Sequence, residues 1–134
     1  MAYYRRKKGN KYGSRKVVID GETFDSKKEA RRWQELKMLE RIGEISGLQR
    51  QVPFELIPNQ YVPTGEFYQR GQKKGQPKME LAERSCCYIA DFTYWRYGRP
   101  DTIIVEDTKG IRTKDYIIKR KLMLYIHGIR INEI

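Results

Sequence analysis

Hydrophobic positions along this chain follow two spacings, one suited to strands and one to helices. Lys16-Val17-Val18-Ile19 and Glu22-Thr23-Phe24 flank Asp20-Gly21. That dipeptide supplies the positive φ angles of a type I′ turn, so the segment predicts a short β-hairpin. Helical spacing follows at once. Ser26 precedes Glu29 as in a capping box, and Ala30, Trp33, Leu36 and Leu39 recur every three or four residues until Gly43. This predicts a helix over about 26–42.

Leu48 to Ile57 is apolar enough for a strand but contains Pro53, which removes a ladder donor and predicts an edge strand or irregular extended segment. Residues 63–84 hold Pro63, Gly65, Gly71, Gly75 and Pro77 around Lys73-Lys74, and are expected to form a long flexible loop, with room for a short helical or strand piece around Lys78 to Arg84. Tyr88 to Trp95 and Thr102 to Thr108 are β-prone runs on either side of the turn cluster Gly98-Arg99-Pro100-Asp101, which predicts an antiparallel hairpin. A second helix is expected over about 114–127, stopped by Gly128, and Ile129 to Ile134 alternates as a last strand.

Composition narrows the partners. In 134 residues, 28 Lys and Arg face 17 Asp and Glu, a formal net charge of +11. A polyanion is the natural counterpart of that surface, although excess charge also serves solubility alone. The imbalance is concentrated in residues 1–15, where Arg5, Arg6, Lys7, Lys8, Lys11 and Arg15 stand with Tyr3, Tyr4 and Tyr12 and without an acid. We read this as a basic flexible arm that lies along phosphates, ahead of a single domain at 16–134. No apolar run approaches the ~20 residues of a membrane span, and the N-terminus has no apolar signal core, so a cytoplasmic protein without a membrane partner is expected. The adjacent Cys86 and Cys87 suit a reducing compartment, and with His127 as the only histidine a structural zinc site lacks ligands.

The chemistry sits in Ile103-Ile104-Val105-Glu106-Asp107-Thr108-Lys109-Gly110. Side chains alternate along a strand, so Asp107 and Lys109 project to one face and Glu106 to the other. A carboxylate paired with a second one on a neighbouring strand can hold a hard divalent cation through oxygen ligands. A lysine beside them can orient a water or neutralise charge that develops on a phosphate. Asp91, on the preceding strand, is the second carboxylate.

This arrangement resembles the PD-(D/E)XK nuclease superfamily, in which an Asp on one strand is followed by Asp/Glu-x-Lys on the next. Asp91 matches the first acid and Asp107-Thr108-Lys109 the second motif; Ala90 stands where the family has a proline. Glu29 matches a Glu that the family often carries on its first core helix. The segments Lys11-Tyr12, Phe24 to Ala30, Gly43-Glu44-Ile45, Phe54 to Pro58, Tyr88 to Phe92 and Glu106 to Gly110 are similar to small phage and prophage members, some of whose relatives resolve Holliday junctions. The resemblance implies an α/β fold with a mixed central β-sheet flanked by helices, a restriction-endonuclease-like core. It implies hydrolysis of DNA phosphodiester bonds with Mg2+ or Mn2+, held by Asp91, Asp107, Glu29 and the Thr108 backbone carbonyl. It further implies a homodimer acting on four-way junctions or other branched DNA, in the cytoplasm of a bacterial host.

Plainer readings stand beside these. Glu29 also completes the capping box with Ser26, Glu106 is a solvated or structural residue, Asp91 is a satisfied polar residue at a strand end, and Lys109-Gly110 is ordinary strand termination. Lys73, Lys74, Lys114, Lys119, Arg120 and Lys121 are candidate phosphate contacts, although charge runs are commonly solvated faces. Gln51 is a candidate for placing a water, and His127 a helix C-terminal residue rather than a catalyst. The competing functions are a nicking or restriction-like nuclease on linear duplex and a non-catalytic basic DNA-binding protein.

Overall fold

The computed structural model describes residues 15–134; Arg5, Arg6, Lys7 and Lys8 of the expected arm lie outside the described residues. β1 (Val17–Ile19) and β2 (Glu22–Phe24) form the expected hairpin. Asp20 and Gly21 carry its turn at φ +50° and +79°. α1 (Lys27–Arg41) begins directly after Ser26, whose Oγ accepts from the Glu29 N–H at 3.1 Å.

A four-stranded sheet forms the centre of the domain. Its members are β3 (Ile45–Ile57), β6 (Cys86–Arg96), β7 (Arg99–Asp107) and β8 (Asn132–Glu133), in that spatial order. β3, β6 and β7 run antiparallel in turn, whereas β8 pairs with β7 in parallel, so the sheet is mixed. As Pro53 predicts, β3 is an edge strand. α2 (Lys114–His127) carries the chain from β7 back to β8, with Thr113 as its N-cap and Gly128 as a left-handed C-cap at φ +65°.

Alternation along β7 puts the two helices on opposite faces. Ile104 joins Leu36, Ile45, Phe92 and Tyr94 under α1, together with Trp33 and Leu39. Ile103 and Val105 join Tyr88, Ala90, Tyr116, Met123 and Ile131 under α2. Burial of the fully enclosed ones such as Leu36, Phe92, Val105 and Met123, roughly 1.5–3 kcal/mol each, fixes both helices to the sheet and thereby the strand ends between them.

Three expectations need correction. The segment 63–84 is not one loop: β4 (Gln60–Phe67) and β5 (Pro77–Glu83) pair as an antiparallel ribbon with a short connecting tip. Both prolines lie in this isolated two-stranded ribbon, where a missing ladder donor is tolerated. The turn after β6 is tighter than 98–101, since Arg96 pairs with Arg99 and only Tyr97 and Gly98 intervene. The last strand contracts to Asn132–Glu133: the Ile129 N–H still bonds the Met123 carbonyl of α2, and the chain joins the β7 ladder only from Asn132.

Candidate active site

β6 and β7 place the two aspartates. Their register sets Phe92 opposite Glu106, which brings Asp91 beside Asp107 where β7 ends. Glu106 and Asp107 then part. Glu106 points toward α1, where its carboxylate accepts from Arg32 Nε at 2.9 Å, Arg32 Nη2 at 2.6 Å and the Tyr94 hydroxyl at 2.6 Å. It is a buried structural residue, not a solvated one. Asp107 turns to the other face, into a cleft of about 390 Å³ whose lining includes Glu29, Asp91, Thr108 and Lys109.

Asp107 is also buried, and its two oxygens differ. Oδ2 accepts a 2.6 Å hydrogen bond from the Tyr88 hydroxyl. Oδ1 is buried without a hydrogen-bond donor and faces Lys109 Nζ at 3.4 Å. The Lys109 ammonium itself lies 4.4 Å from the centre of the Tyr116 ring, a cation–π contact that restrains an otherwise long, mobile side chain. Asp91 Oδ2 accepts from both the backbone N–H and the hydroxyl of Thr108, each at 2.8 Å. Asp91 therefore pins the chain as it leaves β7, between Asp107 and Lys109.

Glu29 enters the same cleft from the first turn of α1. Only half of the expected capping box forms, since Ser26 caps the helix but Glu29 Oε2 accepts from the Asp25 N–H at 3.1 Å rather than from Ser26. Glu29 Oε1 accepts from Gln51 Nε2 at 3.2 Å. Gln51 lies in β3 at φ +51°, a left-handed conformation that costs a non-glycine residue about 1–2 kcal/mol. The strand holds this strained residue where its amide meets Glu29.

Three acids thus share one field. Burial, reinforced by Asp91, pushes the Glu29 carboxyl above the ordinary range. Burial likewise pushes Asp107 up, with Asp91 adding to the effect while Tyr88 and Lys109 oppose it. Among the described residues no group of three or more His, Cys, Asp and Glu side chains is arranged to hold a metal ion. Both Glu29 oxygens already meet protein donors. The pair Asp91 and Asp107 is different: Asp107 Oδ1 is a buried acceptor lacking a hydrogen-bond donor, and mutual repulsion disfavours two adjacent anions. Two carboxylates with room for water suit Mg2+, which keeps several waters and commonly takes only one or two protein carboxylates.

The basic candidates do not all meet at the cleft. Lys73 and Lys74 lie at the tip of the β4–β5 ribbon. Lys114 and Lys121 are exposed on α2, and Lys119 is half-buried. Arg120 is committed to Glu133 at 2.7 Å, which removes it from the free phosphate contacts expected of α2. His127 ends α2, with Nε2 2.6 Å from the Glu55 carbonyl oxygen. Sequence reasoning misses Tyr88 and Tyr116, which hold Asp107 and Lys109. Their roles depend on how the end of β7 meets β6 and α2, and no spacing in the sequence signals that.

No curated protein and no solved structure matches the chain. Residues 9–130 match the family described as a protein of unknown function, DUF1064, and cover the cleft, both helices and the central sheet up to β8. The chain belongs to the DUF1064 family.

Proposed function

We propose that this protein is a divalent-metal-dependent DNA endonuclease of the PD-(D/E)XK type. The observation that supports this most is the convergence of Asp91, Asp107 and Lys109 at the end of β7, with a buried Asp107 oxygen that no hydrogen-bond donor satisfies. Asp91 and Asp107 would hold Mg2+ or Mn2+, which when bound polarises the scissile phosphate and acidifies a coordinated water. Glu29 adds negative charge to the same cleft and keeps Gln51 and the Asp25 amide in place. Lys109, braced on Tyr116, presents an ammonium to the phosphate, where it orients the attacking water or neutralises charge that builds on the phosphoryl oxygens. Dispersed cations bind the DNA backbone, which positions the duplex without reading its sequence.

For substrate we propose four-way junctions or other branched DNA, cut by a homodimer that places one cleft on each of two symmetry-related strands. The test incubates purified protein and Mg2+ with labelled junction, linear duplex and single strand. Paired nicks near the branch point, lost in EDTA, are expected. Asp107→Asn and Lys109→Ala should abolish cleavage and leave DNA affinity within a few-fold. Equal cutting of linear duplex would overturn the junction preference; unchanged cutting by either variant would overturn the site.

A further inference from the structure

The β4–β5 ribbon leaves the body between β3 and β6 and forms a sheet of its own. No other element packs extensively against it. Its register pairs Tyr61 with Leu81, Pro63 with Met79 and, past a bulge that contains Gly65, Phe67 with Pro77. Cross-strand partners share a face, and residues two apart on a strand share it too. All six side chains therefore lie on one face, none is charged, and the Tyr61 hydroxyl is its one polar group. The opposite face carries the Val62 and Glu80 pair and the Lys78 to Glu66 ion pair.

That apolar face is open. Tyr61 is 55% exposed, Phe67 54%, Met79 50% and Leu81 44%. An isolated two-stranded ribbon is marginally stable in water, and a contiguous apolar strip on it marks an interaction surface. Charge indicates the occupant. The two strands hold one cation, Lys78, against Glu66, Glu80 and Glu83, in a chain whose net charge is +11. Arg70, Lys73 and Lys74 lie in the connecting tip, which has no acid. The shaft thus lacks the cations that DNA requires, and its excess of acids lets two copies of a basic chain approach there without a concentration of like positive charge.

We infer that the apolar face of the ribbon is a self-association surface, on which the ribbon of a second copy lies face to face about a two-fold axis. An isologous contact of this kind is self-complementary by construction, since each residue of the strip meets its counterpart strip in the partner. It leaves both basic tips free for phosphates. The inference supplies a surface for the dimer that the junction reading invokes, but its test needs no DNA, so the two can fail separately.

Sedimentation velocity on the full chain over ~1–100 µM, at physiological salt, reads the association directly, since a dissociation constant on the order of micromolar is resolved in that range. A concentration-dependent dimer is expected. The Met79→Glu/Leu81→Glu double variant should weaken it at least tenfold, because two carboxylates enter each apolar strip unpaired. Val62→Lys, on the opposite face and across from Glu80, should leave it within about twofold. Far-UV circular dichroism should show each variant with an intact body, which the ribbon does not support. A wild-type chain that stays monomeric throughout, or a dimer that the double variant leaves unchanged, overturns the inference.

Discussion

Replacing Glu106 with alanine should destabilise the protein far more than it affects the cleft chemistry, although Glu106 adjoins Asp107. Its carboxylate is buried and accepts three hydrogen bonds, two from Arg32 and one from Tyr94. The substitution leaves the Tyr94 hydroxyl unpaired in the core, which costs about 1–3 kcal/mol. It also leaves the Arg32 guanidinium facing an apolar site. Arg32 keeps Glu35 at 3.0 Å and can turn toward solvent, so the total should fall at the low end of the roughly 3–5 kcal/mol for a broken buried pair. For a domain of this size that lowers Tm by about 10 °C. Glu106→Gln keeps an acceptor for Tyr94 and should lose only about 1–2 kcal/mol. Urea unfolding followed by circular dichroism, with an unchanged m-value, measures both. The combination Arg32→Met, Tyr94→Phe and Glu106→Leu should recover most of the loss, because no polar group then remains unpaired. An alanine variant within about 1 kcal/mol of wild type would refute the assignment of Glu106 as a buried ionic anchor.

Other expectations follow from the same geometry. Tyr88→Phe removes the donor to Asp107 Oδ2; it should weaken Mg2+ activation by roughly 10-fold or more while leaving the fold intact, as losses of such supporting hydrogen bonds do, read from cleavage against Mg2+ concentration. Glu29→Gln should lower cleavage yet keep the melting temperature, since Ser26 still caps α1 and Gln can still accept from Asp25; full activity would reduce Glu29 to a structural role. Arg120, foremost, pulls the Glu133 carboxyl down to about 2, with Arg112 and Tyr116 acting the same way. A lowered folded value contributes stability above the ordinary Glu value near 4.5, which is lost as pH falls from there through about 2; Glu133→Gln should flatten acid unfolding in that window, measured by denaturant midpoints at each pH. Met123→Ala empties a fully buried position under α2 and should cost about 2–5 kcal/mol.

Local chemistry made several elements legible. Asp20-Gly21 requires a tight turn, Ser26 opens α1, and Gly128 stops α2 at the residue where capping chemistry puts it. Asp91, Asp107 and Lys109 could be brought together on paper because a short turn fixes how β6 meets β7, and the structure does bring them together. The β4–β5 ribbon was hidden for a physical reason. Its prolines and its bulge at Gly65 break the two-residue alternation, and glycines at the tip add to the signature of a loop. Tyr88, Tyr116 and Arg32 were hidden differently, because each acts across elements and depends on packing that the sequence does not order locally.

The parallel pairing of β7 with β8 bears on the order in which the protein is made. The Asp107 carbonyl accepts from the Ile134 N–H at 2.9 Å, and Lys28 at the start of α1 donates to the Ile134 carbonyl. Residues 132–134 thus bracket the cleft from the side that β7 would otherwise leave bare. During synthesis, every carboxylate of the cleft leaves the ribosome before them. Until β8 docks, the end of β7 is an open strand edge, without the backbone bond that holds Asp107. Deleting residues 132–134 should therefore leave α1 and β3 resistant to limited proteolysis while the chain after Asp107 becomes cleavable.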